Sequence, residues 1–206
     1  MHIITISREF GSGGRELGKR LADHLGYRYY DREIIAAIAE RSHMDSNYVE
    51  NTLEQPVWQA PSPTFRHSFT TTSLFQSEQL NLLLEQRKVL EDIAQKNEDC
   101  VIVGRNADVV LADYHPLSLF VCADMDAKIL RCRERAQEGE ALSDKQIQQK
   151  IKSIDKNRAK VREMITGSVW GDPHAYHLTL NTSGWDIRQL TPAVADFAMR
   201  WFSKNQ

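Results

Sequence analysis

The sequence predicts an α/β fold in which a parallel central sheet lies between helices on both faces. Strand and helix signals alternate along the 206 residues, as they do in chains built from βα units. The strand candidates "CVIVG" and "LSLFVCA" are almost continuously apolar, which is typical of strands that helices cover on both sides. We therefore expect one domain over residues 1–206, with a single core and with ligands bound at the carboxyl ends of the strands.

The chain begins with a strand, a helix and a second strand. The β-branched stretch "HIITIS" predicts the first strand, and the spacing of Leu17, Leu21 and Leu25 predicts the helix that follows it. Gly26 is expected to end this helix before the short strand "YRYYD".

The next part of the chain is predicted to be helical on both sides of a long connection. Asp31 is expected to cap a helix with an isoleucine-rich face, and helical turns continue to about Leu53. The segment Gln55–Thr72 is rich in proline, serine and threonine, so it predicts a long surface connection. A long helix over Leu74–Ala94 follows it.

The second half of the chain contains three strand candidates and three helices. The buried strands "CVIVG" and "LSLFVCA" precede "AYHLTLNTS", whose apolar residues alternate as in a strand. Helices are predicted over Ala127–Gln137, Ser143–Ile165 and Ile187–Phe202. In a parallel sheet, the loops that follow the strands share one cleft. These loops come after Ser7, Tyr30, Gly104 and Ala123.

Composition argues against several classes of function and favours a cytoplasmic protein. A net charge of −2 and a pI of about 6.4 argue against a dedicated nucleic-acid binder, whose affinity comes from neutralising phosphates. The longest apolar runs have strand length, and the N-terminus carries no signal-peptide pattern, so we expect no membrane segment. Cys100, Cys122 and Cys132 lack CxxC spacing and the histidines lack metal-ligand spacing. We therefore predict reduced thiols and no structural metal.

The stretch Ile4–Arg20, "ITISREFGSGGRELGKR", has the pattern of a strand, a glycine-dense turn and a helix. Glycines remove Cβ atoms where the turn tightens, and backbone amides can then face an anion at the positive end of the next helix. The plainer interpretation is a turn that needs glycine for its geometry alone. We favour a phosphate cradle, because three glycines occur within four residues directly before the helix. Its predicted phosphate-binding residues are Arg8, Gly11, Ser12, Gly13, Gly14 and Arg15.

The lysine expected in such a phosphate loop is missing from its usual place. A literal GxxxxGK pattern runs from Gly13 to Lys19, but the leucine spacing places Lys19 one turn inside the helix. Arg20 then stands where Ser or Thr would hold magnesium. If Gly13 is the last loop glycine, Arg15 is the cation nearest to the lysine position and Glu16 falls near the hydroxyl position. We therefore expect Arg15 to act catalytically by supplying the missing charge.

Three stretches together resemble the cytidylate-kinase-like proteins: "ISREFGSGGRELGKRLADHLGYRYYDREII", "CVIVGRNAD" and "IDKNRAKVREMITGSVWGDPHAYHLTLNTS". The resemblance runs from the first strand to about Ser183. It implies a P-loop nucleoside monophosphate kinase fold, with an acceptor-binding region at about 31–98 and a helical lid at about 131–160. It also implies phosphoryl transfer from ATP, with Mg²⁺, to a nucleoside monophosphate such as CMP or dCMP, or to a related small molecule. The partners would be small-molecule nucleotides, and nothing in the sequence indicates the oligomeric state.

The resemblance assigns acceptor binding to residues after the second and third core strands. Gly104-Arg105-Asn106 is similar to the family's Gly-Arg-Asp, whose arginine faces the acceptor phosphate. Asn106 stands where cytidylate kinases have an aspartate. Asp31 and Arg32 occupy the place where the acceptor segment begins, although a helix N-cap is an equally good interpretation of Asp31.

A further acceptor contact is implied on the long helix after the lid turn. Asp155 and Arg158 resemble the family's Asp-x-x-Arg pair, which contacts the pyrimidine nucleotide. At i,i+3 the two can present a carboxylate acceptor and a guanidinium donor to one ligand. The alternative is a surface ion pair on a charged helix. Trp170–Pro173, "WGDP", resembles a family signature, and its plain interpretation is a turn packed by Trp170.

Arg131, Arg133 and Arg135 resemble lid arginines, which stabilise the charge of a transferred phosphoryl group as the lid closes. Alternation at i,i+2 cannot place all three on one helical face. We therefore predict catalytic roles for Arg131 and Arg135, which are four residues apart, and a solvated Arg133. Helix solubility is the alternative for all three. The segment from about Arg135 to Ser143 is expected to move as a lid.

Two functions from different classes remain open. The first is an ATP-dependent kinase, and the second is a nucleotide-binding regulator on the same fold without turnover. The acceptor arginines and the lid arginines favour the enzyme, because a pure binder needs no closing lid. The missing lysine favours the regulator, because the bulkier, forked arginine is not equivalent to it.

Overall fold

A computed structural model of the chain describes residues 1–54, 68–136 and 142–204. The strands in these ranges form one parallel five-stranded sheet, in the order β2-β3-β1-β4-β5. They are β1 (Ile3–Arg8), β2 (Arg28–Tyr30), β3 (Cys100–Val103), β4 (Leu117–Cys122) and β5 (Leu178–Asn181).

Helices connect the strands and cover the sheet. The α-helices in the described ranges are α1 (Gly14–Leu25), α2 (Arg32–Ser42), α3 (Ser46–Glu54), α4 (Ser68–Gln95), α5 (Ala107–Val110), α6 (Met125–Glu134), α7 (Asp144–Thr166) and α8 (Ile187–Lys204). Short 3₁₀ turns follow α5 and precede β5. Among the residues described, none of the helices has the length and apolar character needed to span a membrane.

The sheet has a separate core on each face, and alternate residues of β3 belong to the two cores. Cys100 and Ile102 of β3 pack with α2, α3 and α4 in one core. Val101 and Val103 pack with α1 and α8 in the other. This alternation follows from the two-residue period of a strand. The predicted three-layer arrangement, with helices on both faces of a parallel sheet, is therefore confirmed.

The strand register brings the carboxyl ends of the inner strands to one edge of the sheet. Ser7 of β1 pairs with Phe120 of β4, and Ile6 pairs with Val103 of β3. Tyr30, the last residue of β2, pairs with Ile102. The loops that follow β1, β2, β3 and β4 therefore leave the sheet at the same edge, as the sequence predicted.

The predicted C-terminal boundary of the connection Gln55–Thr72 is wrong. Helix α4 begins at Ser68, six residues before the predicted start at Leu74, and residues 55–67 lie outside the described residues. Serine and threonine cost a helix only a few tenths of a kcal/mol each. A long helix can therefore continue through a polar stretch that composition alone assigns to a loop.

Candidate functional site

The glycine turn between β1 and α1 has the geometry of an anion cradle. Gly13 is the N-cap of α1 and has a φ of +83°, a conformation that favours glycine. A Cβ at this position would lie 2.7 Å from Cδ1 of Ile187. A hydrogen bond stabilises the turn: Thr182 Oγ1 donates to the carbonyl of Ser12 at 2.6 Å. The first amides of α1 have no partners within the helix, so they are available to an anion at this end.

These glycines line a cleft of about 430 Å³, here called the loop cleft. Its basic residues come from β1, α1, the end of α6 and α7. They are Arg8, Arg15, Arg131, Arg133, Arg135, Lys150 and Arg158. Such a concentration of cations beside a helix N-terminus suits a ligand with several negative charges.

A second, smaller cavity adjoins the loop cleft and is called the Arg105 pocket. Three arginines line it, namely Arg8, Arg105 and Arg158. Its other lining residues are Ser7, Leu53, Leu83, Gln86, Gly104, Asn106, Val161 and Trp170. The pocket therefore combines guanidinium groups, which bind phosphate or carboxylate, with apolar side chains and amides that can hold an uncharged group.

Arg8 stands between the two cavities and lines both of them. Its side chain packs against Gly104, where an added Cβ would lie 2.7 Å from the Arg8 Cζ atom. Burial, together with the guanidinium groups of Arg158 and Arg105, lowers the pKa of Arg8 to about 9. The side chain is still protonated at neutral pH. The mutual repulsion of these cations would be relieved by a bound anion.

The loop after β3 presents Arg105 and Asn106 in a strained backbone conformation. Their φ values are +61° and +51°, and residues other than glycine rarely adopt this left-handed region. The carbonyl of Arg105 accepts a hydrogen bond of 3.1 Å from Gln86 Nε2, and its guanidinium lies 3.6 Å from Glu50 Oε1. Asparagine tolerates this conformation better than most residues, which gives a backbone reason for Asn106.

The predicted pair on α7 divides its contacts between the loop and the cavities. Arg158 lines both cavities, and its Nη1 donates to the carbonyl of Arg8 at 3.2 Å. Asp155 is not among the described residues that line either cavity. Its Oδ1 accepts the amide of Phe10 at 2.7 Å. Burial raises the pKa of Asp155, while the Phe10 amide and Lys128 lower it. Asp155 therefore contacts the glycine turn, and its contact with an acceptor stays a prediction.

Asp31 and Arg32 lie at the start of α2. The Asp31 carboxylate, 8% exposed, forms an ion pair with Arg15 at 2.6 Å, and its side chain makes no capping hydrogen bond to α2. Asp31 does occupy the predicted N-cap position of α2, and a direct contact between Asp31 and a ligand stays a prediction. Arg32 is exposed and is not among the described residues of either cavity. Arg15 does line the loop cleft, with Asp31 fixing its guanidinium from the β2 side.

All three arginines near the end of α6 line the loop cleft. Arg131 donates to the Thr182 carbonyl at 2.6 Å, whereas Arg133 pairs with Asp144 and Arg135 with Glu16. Arg133, which was predicted to be solvated, has a side chain that is 56% exposed, and it also lines the loop cleft. The face argument fails because α6 ends at Glu134, so Arg135 is no longer on the helix.

Sequence reasoning missed Lys128 and a buried ion pair behind the Arg105 pocket. Lys128 is buried on α6, with its Nζ 2.6 Å from Glu9 Oε2. Arg162 Nη1 lies 2.7 Å from Asp108 Oδ2, with both side chains buried, and this pair joins α7 to α5. The one available signal was a charged residue at an inward position of an amphipathic helix, which is seldom buried without a partner.

The sequence profile of the Cytidylate kinase-like family matches residues 3–184. A cytidylate kinase from Haloarcula marismortui is 24% identical over 185 residues, which cover 89% of this chain and 82% of that protein.

Three solved structures share the fold. An uncharacterized protein from Eubacterium ventriosum has a TM-score of 0.68 at 24% identity, covering 96% of this chain and 98% of the other. Shikimate kinase from Bacteroides thetaiotaomicron has a TM-score of 0.55 at 16% identity, with coverages of 95% and 97%. Shikimate kinase from Acinetobacter baumannii in complex with shikimate has a TM-score of 0.53 at 13% identity, with coverages of 97% and 94%.

These likenesses confirm the predicted P-loop kinase fold. The family profile covers the whole described sheet, from β1 to the residues that follow β5. The chain therefore belongs to the Cytidylate kinase-like family.

Proposed function

We propose that this protein transfers the terminal phosphoryl group of ATP to the phosphate of a nucleoside monophosphate of the CMP or dCMP kind. The observation that carries the proposal is the pair of adjoining cavities that share Arg8 and Arg158. One cavity contains the glycine turn and the other contains Arg105. Two guanidinium groups between two anion sites suit a reaction in which phosphate passes from one anion to the other.

The loop cleft fits the triphosphate of ATP. Backbone amides at the start of α1 would hold its phosphates, and Arg15, Arg131, Arg133 and Arg135 would add positive charge. Phosphoryl transfer depends mainly on positioning and charge stabilisation, which these residues can supply. We place the lid at about 131–160, and residues 137–141 of the proposed moving segment lie outside the described residues.

The fit of the chain to Mg²⁺ is weaker than its fit to ATP. Within the described ranges, no three His, Cys, Asp or Glu side chains group as a metal site. Glu16 lies near the position where a P-loop hydroxyl would hold the ion, and its carboxylate pairs with Arg20 at 2.8 Å and with Arg135. We therefore assign no protein ligand to Mg²⁺, which ATP would bring on its own phosphates.

We assign the phosphate of the acceptor to the Arg105 pocket, a cavity of about 50 Å³. Arg8, Arg105 and Arg158 would bind this phosphate, and Trp170 and Gln86 would lie beside the base. An aromatic wall and an amide are groups that hold a flat, polar heterocycle. The cytidylate kinase name of the Haloarcula relative supports a pyrimidine nucleotide as the first candidate.

The test is a coupled assay of ADP release with a panel of acceptors. CMP, dCMP, UMP, AMP and GMP would be compared, with shikimate included because two fold neighbours carry that kinase name. We expect turnover with CMP or dCMP to exceed that with the purine nucleotides. A chain that binds ATP but releases no ADP above background with any acceptor would contradict the proposed reaction.

A regulator that binds nucleotides without turnover is the second candidate. It is favoured by the ion pairs at the two altered loop positions, since Arg15 is paired with Asp31 and Glu16 with Arg20. Tight binding of ATP and CMP together with the absence of ADP release would support this candidate.

Arg15→Ala is expected to weaken ATP binding by about tenfold, because it removes a cation from the loop cleft. The expected effect is moderate because the Arg15 side chain is 46% exposed and solvent screens its charge. Titration of the variant and of the unaltered chain with ATP measures the change in affinity.

Lys19→Ala is the matched control. The Lys19 ammonium group pairs with Asp23 at 2.8 Å, one turn along α1, so ATP binding should be unchanged. If Lys19→Ala abolished binding while Arg15→Ala preserved it, the assignment of the loop register would be wrong.

A further inference from the structure

Lys128 is a buried lysine that lies directly behind the glycine turn. Its side chain is 6% exposed, and its Nζ lies 2.6 Å from Glu9 Oε2 and 3.4 Å from Asp155 Oδ2. A buried ammonium group is strongly destabilising unless carboxylates or other acceptors surround it. The position of this lysine between two carboxylates therefore requires an explanation.

Both carboxylates are linked to the glycine turn, one through the chain and the other through a hydrogen bond. Glu9 belongs to the turn, and its carboxylate also accepts the amide of Ala123 at 3.1 Å. Asp155 of α7 accepts the amide of Phe10 at 2.7 Å. The backbone of Lys128 itself packs against the turn, since a Cβ on Gly11 would lie 3.1 Å from the Lys128 carbonyl oxygen. Lys128 thus joins the turn, α6 and α7.

The charge of Glu9 matters because this residue lines the loop cleft. A carboxylate facing the phosphates of ATP would repel them, and the repulsion would be strong at the short distances within a cleft. Lys128 neutralises this carboxylate and holds it on the α6 side of the turn. The cleft can then present its arginines and backbone amides to the anion.

We propose that Lys128 is a positioning residue for triphosphate binding, which holds Glu9 and Asp155 against the glycine turn and cancels the negative charge of Glu9. This proposal rests on one part of the proposed function, namely that the loop cleft binds ATP. It does not require turnover. Lys128 acts through Glu9, Asp155 and the turn, and it makes no direct contact with the nucleotide.

Lys128→Met tests the proposal, because methionine keeps most of the side-chain volume and removes the charge. ATP binding measured by calorimetry should weaken by about tenfold or more. The KM for the acceptor nucleotide should change little in the same variant. Lys128→Arg should retain most of the affinity. Lys152→Met, at an exposed position of α7, is the matched control and should bind ATP as the unaltered chain does.

Glu9→Gln separates charge cancellation from a merely structural role. The proposal predicts that Glu9→Gln alone tightens ATP binding, and that Glu9→Gln combined with Lys128→Met restores most of the lost affinity. A packing role predicts instead that the double variant binds no better than Lys128→Met. The single Glu9→Gln variant keeps the test decisive even if Lys128→Met does not fold.

Three results would overturn the proposal. The first is a folded Lys128→Met variant with unchanged ATP affinity. The second is a double variant without recovery, and the third is weaker binding by Glu9→Gln alone. Failure of the unaltered chain to bind ATP would overturn both this proposal and the proposed function. ATP binding without ADP release would contradict the proposed reaction alone.

Discussion

Gly104→Ala is expected to slow phosphoryl transfer by about a hundredfold or more, through displacement of Arg8. Gly104 has a φ of +80°, and an added Cβ would lie 2.7 Å from the Arg8 Cζ atom. The end of a flexible side chain can move out of the way, so the protein should still fold. The Arg8 guanidinium would then leave the boundary of the two cavities, and an error of about 1 Å at a catalytic group can cost a hundredfold in rate. The measurement is kcat/KM for the acceptor.

Gly167→Ala is the control for backbone strain. Gly167 has a similar φ of +66°, but nothing lies within 4 Å of its ideal Cβ position. Both variants should lose about 1–2 kcal/mol in the free energy of unfolding, because alanine disfavours the left-handed region. Only Gly104→Ala should lose activity. If both variants lost activity equally, strain rather than the position of Arg8 would be the cause.

The sheet and most of its helices could be predicted from the sequence because their signals are local. The apolar run of β3 and the leucine spacing of α1 each identify an element without knowledge of its neighbours. The glycine turn could be recognised for the same reason, since Gly11–Gly14 follows one element and begins the next. The edge where the strands end followed from the general property of parallel sheets.

The contact partners of the charged residues could not be predicted, because they are determined by the tertiary structure. The contact between Asp155 and the Phe10 amide joins residues separated by 145 positions. Asp155 and Arg158 form an ion pair of 3.9 Å at i,i+3, but Asp155 has a shorter contact with the glycine turn and Arg158 with the end of β1. Lys128 was missed for the same reason, because its role depends on its contacts with both Glu9 and Asp155.

The absence of the usual lysine from the glycine turn is consistent with a site whose positive charge comes from several helices and strands. In the loop cleft, cations from β1, α1, α6 and α7 surround the glycine turn. Several of these side chains are fixed by another group: Asp31 holds Arg15 and Thr182 holds Arg131. Under the proposed function, this cleft binds a triphosphate without a lysine in the turn, because the total charge and its position determine affinity.

Arg158 is expected to show the largest effect of a single substitution. It lines the loop cleft and the Arg105 pocket, and its Nη1 also donates to the Arg8 carbonyl at 3.2 Å. Arg158→Ala should lower kcat/KM by about a thousandfold, as expected when an arginine that stabilises a transferred phosphoryl group is lost. The KM values for ATP and for the acceptor should both rise, because each cavity loses a cation.

Arg158→Lys and Arg200→Ala provide the controls for this experiment. Lysine keeps the charge but lacks the planar fork, so its kcat/KM should lie between those of the unaltered chain and Arg158→Ala. Arg200 forms an exposed ion pair with Asp196 on α8, and its removal should leave kinetics unchanged. An Arg158→Ala variant that raised the KM for only one substrate would show that Arg158 contacts only one of the two substrates. The proposed transfer between the two cavities would then lose its main support.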